Sequence, residues 1–177
     1  TSVEIPGSVI EIGDGAFVWC SDLMSVAISE GMTRIGDSAF YGCNRLMGVE
    51  IPESVTKIGV SAFSECRELT SVEIPGSVTE IGDHAFSFCT GLTSVAISEN
   101  VTAIGISTFY GCSSLTSVEI PGSLTRIGDF AFSSCSSLMG INIPEGVPRI
   151  RRDAFSICSG LTSMEIPESV TSIGDAV

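Results

Sequence analysis

The side chains able to do chemistry in this chain are seven cysteines, one histidine and twenty-one carboxylates, set against only eight lysines and arginines. The cysteines are Cys20, Cys43, Cys66, Cys89, Cys112, Cys135 and Cys158, and every interval is 23 residues. Thiols could hold zinc or close disulfides. Zinc sites use Cys-x2–4-Cys pairs, and none occurs. A disulfide needs converging Cβ atoms about 3.8 Å apart, whereas equivalent side chains of a strict ladder point the same way, about one strand spacing of 4.8 Å apart. The count is also odd. The spacing therefore predicts reduced, buried thiols that act as small apolar side chains. His84 is the only histidine and Lys57 the only lysine. No catalytic triad, phosphate loop or HExxH pattern accompanies them, so no catalytic, metal or cofactor residue is assigned and a non-enzyme is expected.

The carboxylates form columns at the same period. One is Glu4, Glu50, Glu73, Glu119 and Glu165; a second, three residues later, is Glu30, Glu53, Glu99, Glu145 and Glu168. Calcium loops need several clustered oxygen ligands, which this spacing does not supply. Two uses stay open: a face kept solvated by charge, or a binding surface for a basic partner. A third column, Asp14, Asp37, Asp83, Asp129 and Asp175, is expected to accept hydrogen bonds from backbone N–H groups at the start of a short helical turn.

The element that must position these columns is a repeat. Phe17, Phe40, Phe63, Phe86, Phe109, Phe132 and Phe155 keep the 23-residue step, as do one isoleucine and one leucine per unit, without insertion or deletion. Within a unit, Leu69-x-x-Val72-x-Ile74 alternates like a strand, Pro75 ends it, and Gly76 and Ser77 turn. Val78 and Ile81 point inward on the return path. Gly82 is expected at positive φ; Ala85, Phe86 and Cys89 line the inner side of the helical turn. One unit buries too little to fold alone, so the units must stack.

Composition narrows the function classes. Hydrophobic residues are 44%, charged residues 16% and mean hydropathy +0.44, the reverse of a disordered chain. A net charge of −13 argues against nucleic acid, which requires clustered Lys and Arg. No apolar run approaches the roughly 18 residues of a membrane span.

The pattern Leu-x-x-Val-x-Ile-Pro-x-Ser-Val-x-x-Ile-Gly-x-x-Ala-Phe-x-x-Cys-x-x-Leu resembles the BspA-like (Treponema-type) leucine-rich repeat over the whole chain. The resemblance implies a repeat solenoid: a right-handed superhelix with a parallel β-sheet on the concave side and short helical or 3-10 turns on the other. It also implies a surface or secreted protein that binds other proteins in adhesion or recognition; similar arrays also occur inside eukaryotic microbes. The alternative is an intracellular scaffold or structural subunit of a larger assembly.

Residues 1–177 are read as a single array of seven units and a partial eighth. Thr1 enters mid-strand, Val177 stops mid-unit, and neither end carries a polar cap, so a piece of a longer array, or contact with neighbouring repeats or chains, is expected. The strand side should expose Thr or Met, then Ser or Gly, then Glu or Ala. Met24, Met47 and Met139 stand there among threonines and, with the ten glutamates, form the expected partner-binding face. The basic residues Arg34, Lys57, Arg126 and Arg149 fall on the return path. The seventh unit departs from the pattern: Arg151 replaces the usual Gly and Arg152 the usual Asp, with Arg149 two residues before. That is either a surface irregularity or a docking site.

Overall fold

The computed structural model describes residues 1–177. Its elements are sixteen strands in two sets. Eight strands of three or four residues, from Ser2–Ile5 to Ser163–Glu165, form one side; eight two-residue strands, from Glu11–Ile12 to Ser172–Ile173, lie on the return path. All pairing is parallel and every partner is one repeat away, as in Val3 with Val26 and Ile58 with Ile81. The result is a parallel β-solenoid of about seven turns. No helix is long and apolar enough to cross a membrane.

The alternation in the sequence explains the packing. Val72 and Ile74 point in, while Ser71 and Glu73 point out. Val78, Ile81, Ala85, Phe86, Cys89 and Leu92 are also buried, and their copies form one core of 47 residues. The phenylalanine rings stack along the axis with centroids 5.2–5.6 Å apart and planes within 12° of parallel. Each interior thiol donates to the Phe carbonyl of the preceding rung, for example Cys89 Sγ to Phe63 O at 3.1 Å. All seven cysteines are free. Cys20 is exposed, Cys158 and Phe17 are half-buried, so the outermost rungs depart from the expected burial because no second rung covers them.

The expected helical turns are absent. Residues 82–89 form a series of turns, and 79 of the 91 backbone–backbone hydrogen bonds lie outside the strands. His84, Phe86 and Phe88 donate forward to Ile106, Thr108 and Tyr110 of the next rung, while Ala85, Ser87 and Cys89 close local turns to Gly82, His84 and Phe86. A helix points every N–H along its own axis and could not supply both sets. Alternation needs two left-handed residues per unit, and His84 (φ 58°) and Phe88 (φ 58°) supply them.

Positive φ therefore does not fall at Gly82. Gly82 is required for space instead: a Cβ there would lie 2.5 Å from the carbonyl carbon of Gly59 and the amide nitrogen of Val60. The aspartate column also acts differently from expectation. Asp83 Oδ1 accepts the N–H of Ile106, 2.7 Å away in the next unit, and Asp14 and Asp37 accept those of Asp37 and Val60. These carboxylates tie rung to rung rather than capping their own turn. Asp83→Ala should cost about 1 kcal/mol, in the range of a lost cap, and Asp83→Asn, which keeps an oxygen acceptor, should cost less. Equal melting of all three proteins in urea would refute this bond's contribution.

Candidate functional site

The solenoid places the ten glutamates on one side, and all ten are exposed. The structure separates the two columns. Glu4, Glu50, Glu73, Glu119 and Glu165 lie in the long strands, and their carboxylates make no hydrogen bond. In the paired register Glu4 faces Ala27, and Ala96 faces Glu73 and Glu119, which spaces like charges two rungs apart. Glu50 and Glu73 occupy successive rungs without an intervening neutral residue, and the ladder between their strands is interrupted there, as it is also between Ser117–Glu119 and Gly140–Asn142.

The second column lies in the turns after the strands. Glu30 reaches forward to the next rung to accept the N–H groups of Glu53 (3.2 Å) and Ser54 (3.1 Å), and Glu99 those of Gly122 and Ser123 (3.4 and 3.3 Å). Part of this column is thus structural. None of the ten glutamates has a cation within 4.0 Å.

Met47 and Met139 stand exposed beside these strands and Met24 is half-buried. Thr70, Thr93 and Thr116 donate their hydroxyls along the column to the preceding rung's carbonyl. The recesses over the strands are open and shallow, lined by Ser2, Glu4, Ser25, Ala27, Gly48 and Glu50 at one end. A surface of small side chains, carboxylates and flexible thioethers can fit a protein; it encloses no reacting atom. No three His, Cys, Asp or Glu side chains converge as a metal cluster.

Burial pushes the interior thiols upward in pKa: Cys43 to about 11, and Cys66, Cys89 and Cys112 well above their usual value, with neighbouring thiols adding to the effect. They are neutral at physiological pH and poor nucleophiles.

Sequence reasoning missed two aromatic pairs on the turn side. Trp19 packs edge-on against Tyr41, and Phe88 against Tyr110, each with centroids 5.1 Å apart at 89°. Trp19 covers Gly42 and Phe88 covers Gly111, where a side chain would collide with the ring. The signal is present in the sequence: an aromatic residue followed one unit later by Tyr-Gly, twice.

The family model for BspA-type leucine-rich repeat regions matches residues 1–105 and 79–177 in six copies. A leucine-rich cell surface protein from Faecalibacterium prausnitzii A2-165 has 36% identity and a TM-score of 0.78 over 98% of this chain and 56% of its own. The leucine-rich repeat protein of T. pallidum has 28% identity and a TM-score of 0.69, covering 98% and 72% respectively. A leucine-rich repeat protein from Bacteroides ovatus has 29% and 0.64, covering 98% and 56%. The chain thus spans little more than half of the F. prausnitzii protein's length. No curated protein matches it.

Proposed function

The chain belongs to the family of BspA-type leucine-rich repeat regions, and from that premise we propose that it is a non-enzymatic protein-binding module that engages a basic partner through its strand face, in adhesion or recognition at a cell surface. Ten exposed glutamates without an intramolecular cation carry this reading. Glu30 and Glu99 also brace turns, whereas the strand-column carboxylates have no partner in the fold and are left to solvent or to another molecule. A strip of one sign steers a partner of the other, while the threonines and methionines between them supply adaptable contact area. The description of the F. prausnitzii relative as a cell surface protein supports the location.

The test uses the strand column alone, since Glu99 also holds a turn. In a chain with Glu4, Glu50, Glu73 and Glu119 changed to Gln, association with immobilised matrix proteins should slow by about tenfold at low salt. The difference should fade as salt shortens the Debye length to about 3 Å at 1 M. Unchanged capture at low salt would mean that the strip serves solubility alone.

A further inference from the structure

We propose that the arginines of the sixth and seventh units, Arg126, Arg149, Arg151 and Arg152, form a second binding site, on the return path, for a short sulfated oligosaccharide. They are half of the eight cations in a chain of net charge −13, and all four are exposed. The other four cations are each matched by an acid: Arg34 with Asp14 at 2.8 Å, Arg45 with Asp22 at 3.6 Å, Lys57 with Glu80 at 2.9 Å and Arg67 with Glu65 at 3.0 Å. Arg126, Arg149 and Arg151 have no carboxylate within 4.0 Å, and Arg152 has only Asp153, at 3.6 Å.

Register shows the same contrast. In the short-strand column, Arg34 and Lys57 are bracketed by Glu11 and Glu80. Arg126 and Arg149 occupy successive rungs of that column and are bracketed by Ala103 and Ser172, which carry no charge. Their Cα positions belong to successive rungs, which repeat at about one strand spacing, 4.8 Å, and neither arginine has a carboxylate partner. Arg152 lies over the ring of Phe130, 5.1 Å from its centroid, which anchors a third guanidinium across the same two units.

The seventh unit gives up regularity to present this patch. At Gly59, a Cβ would sit 2.5 Å from Asp37 Oδ1, and at Gly105 one would meet Asp83 Oδ1. Glycine at this position is what lets the aspartate reach the next rung. Arg151 brings a Cβ into that space, and Asp129 is the one aspartate facing such a rung that makes no bond to it. A position that breaks a local rule without a packing gain is where function is to be sought.

The ligand follows from the chemistry of the patch. Guanidinium groups are weakly hydrated forks that bind oxyanions bidentately. Asp129 and Asp153 lie in the same two units, so a sulfate ester, with one charge per group, is repelled less than a phosphate dianion. A long polyanion such as nucleic acid would run off two rungs onto Ala103 and Ser172, which offer it no cation. A short oligosaccharide with sulfates about one rung apart fits the arginines alone.

The probe is sucrose octasulfate, titrated calorimetrically at low salt into the chain and its variants. The Arg126→Gln, Arg149→Gln, Arg151→Gly triple variant should bind at least about tenfold more weakly, the loss of roughly one charge-assisted contact or more. Arg151→Gly alone restores the repeat's glycine, so it should bind more weakly while melting no lower than the native chain; that separates site loss from misfolding. Gln substitutions at Glu50 and Glu73 should leave octasulfate binding intact. No binding by the native chain, or unchanged binding by the triple variant, would overturn the site. Equal affinity for inositol hexakisphosphate or a single-stranded oligonucleotide would overturn the sulfate assignment.

Discussion

Replacing Phe86 by alanine is expected to lower the unfolding free energy by about 3–5 kcal/mol, the range for a large aromatic removed from a core that cannot collapse. Phe86 is fully buried. Its ring stacks on Phe63 at 5.4 Å and on Phe109 at 5.6 Å, with planes 4° and 7° from parallel. Its backbone is fixed by the forward bond to Thr108 O and by the thiol of Cys112, so the neighbours cannot move in to fill the gap. Two stacking contacts vanish with one ring. Phe17 is half-buried and has one stacking neighbour, Phe40, so Phe17→Ala should cost clearly less. The array behaves as a chain of coupled units, and denaturant melts of the two variants measure the difference. Equal losses would show that the rings do not act as a stack.

Raising the pH above about 9, the ordinary thiol value, is expected to melt the protein steeply. Burial raises the folded-state pKa of Cys43, Cys66, Cys89, Cys112, Cys135 and Cys158. Once unfolded, the same thiols ionise near their usual value. Below that value both states hold the proton and the stabilisation is fully present. Above it the unfolded chain binds fewer protons than the native one, so stability falls as pH rises toward the folded pKa, about 11 for Cys43. Each interior thiol contributes a slope of about 1.4 kcal/mol per pH unit. Several acting together exceed the marginal stability of a typical domain within about two pH units. Tyr41, raised mainly by its hydrogen bond to Glu65, adds in the same direction at higher pH. Cys89→Ser keeps a donor for the Phe63 carbonyl and should remove one share of the slope. A melting temperature that stays level up to pH 10.5 would refute the burial of the thiols.

Much of this architecture is legible in the residues. Val72, Ile74, Val78, Ile81, Ala85, Phe86, Cys89 and Leu92 fall inward as their spacing implies, because burial in a stacked unit is dictated by side-chain type at a fixed position. The turn conformation is not legible in the same way. The left-handed position is Gly15, Ser38, His84 and Phe130 in different units, residue types with no shared preference for positive φ. In the interior units it accompanies a forward bond to a carbonyl on the next rung, a partner 22 residues away, though Ile157 and Ala176 keep it without one. A partner on the next rung also reverses the aspartates: Asp83 reads locally as a cap, yet the N–H of Ile106 is the donor within reach. The glutamate strip is legible as position and charge. That Glu30 and Glu99 brace turns while Glu50 and Glu73 do not depends on side-chain direction, which spacing does not specify.

Nearly every side-chain hydrogen bond in the molecule spans 20 to 26 residues, one repeat, and the strand pairs do the same. No contact needs to know how many units lie beyond its neighbour. Deleting or duplicating a 23-residue block in frame would therefore rejoin one rung to another through bonds of the same kind. A gene encoding such a chain can change its length by unequal recombination between its own repeats and still specify a folded product. The distance between two surface features, such as the acidic strip's ends or the aromatic pairs of Trp19 and Phe88, then becomes a quantity that inheritance can adjust in whole steps.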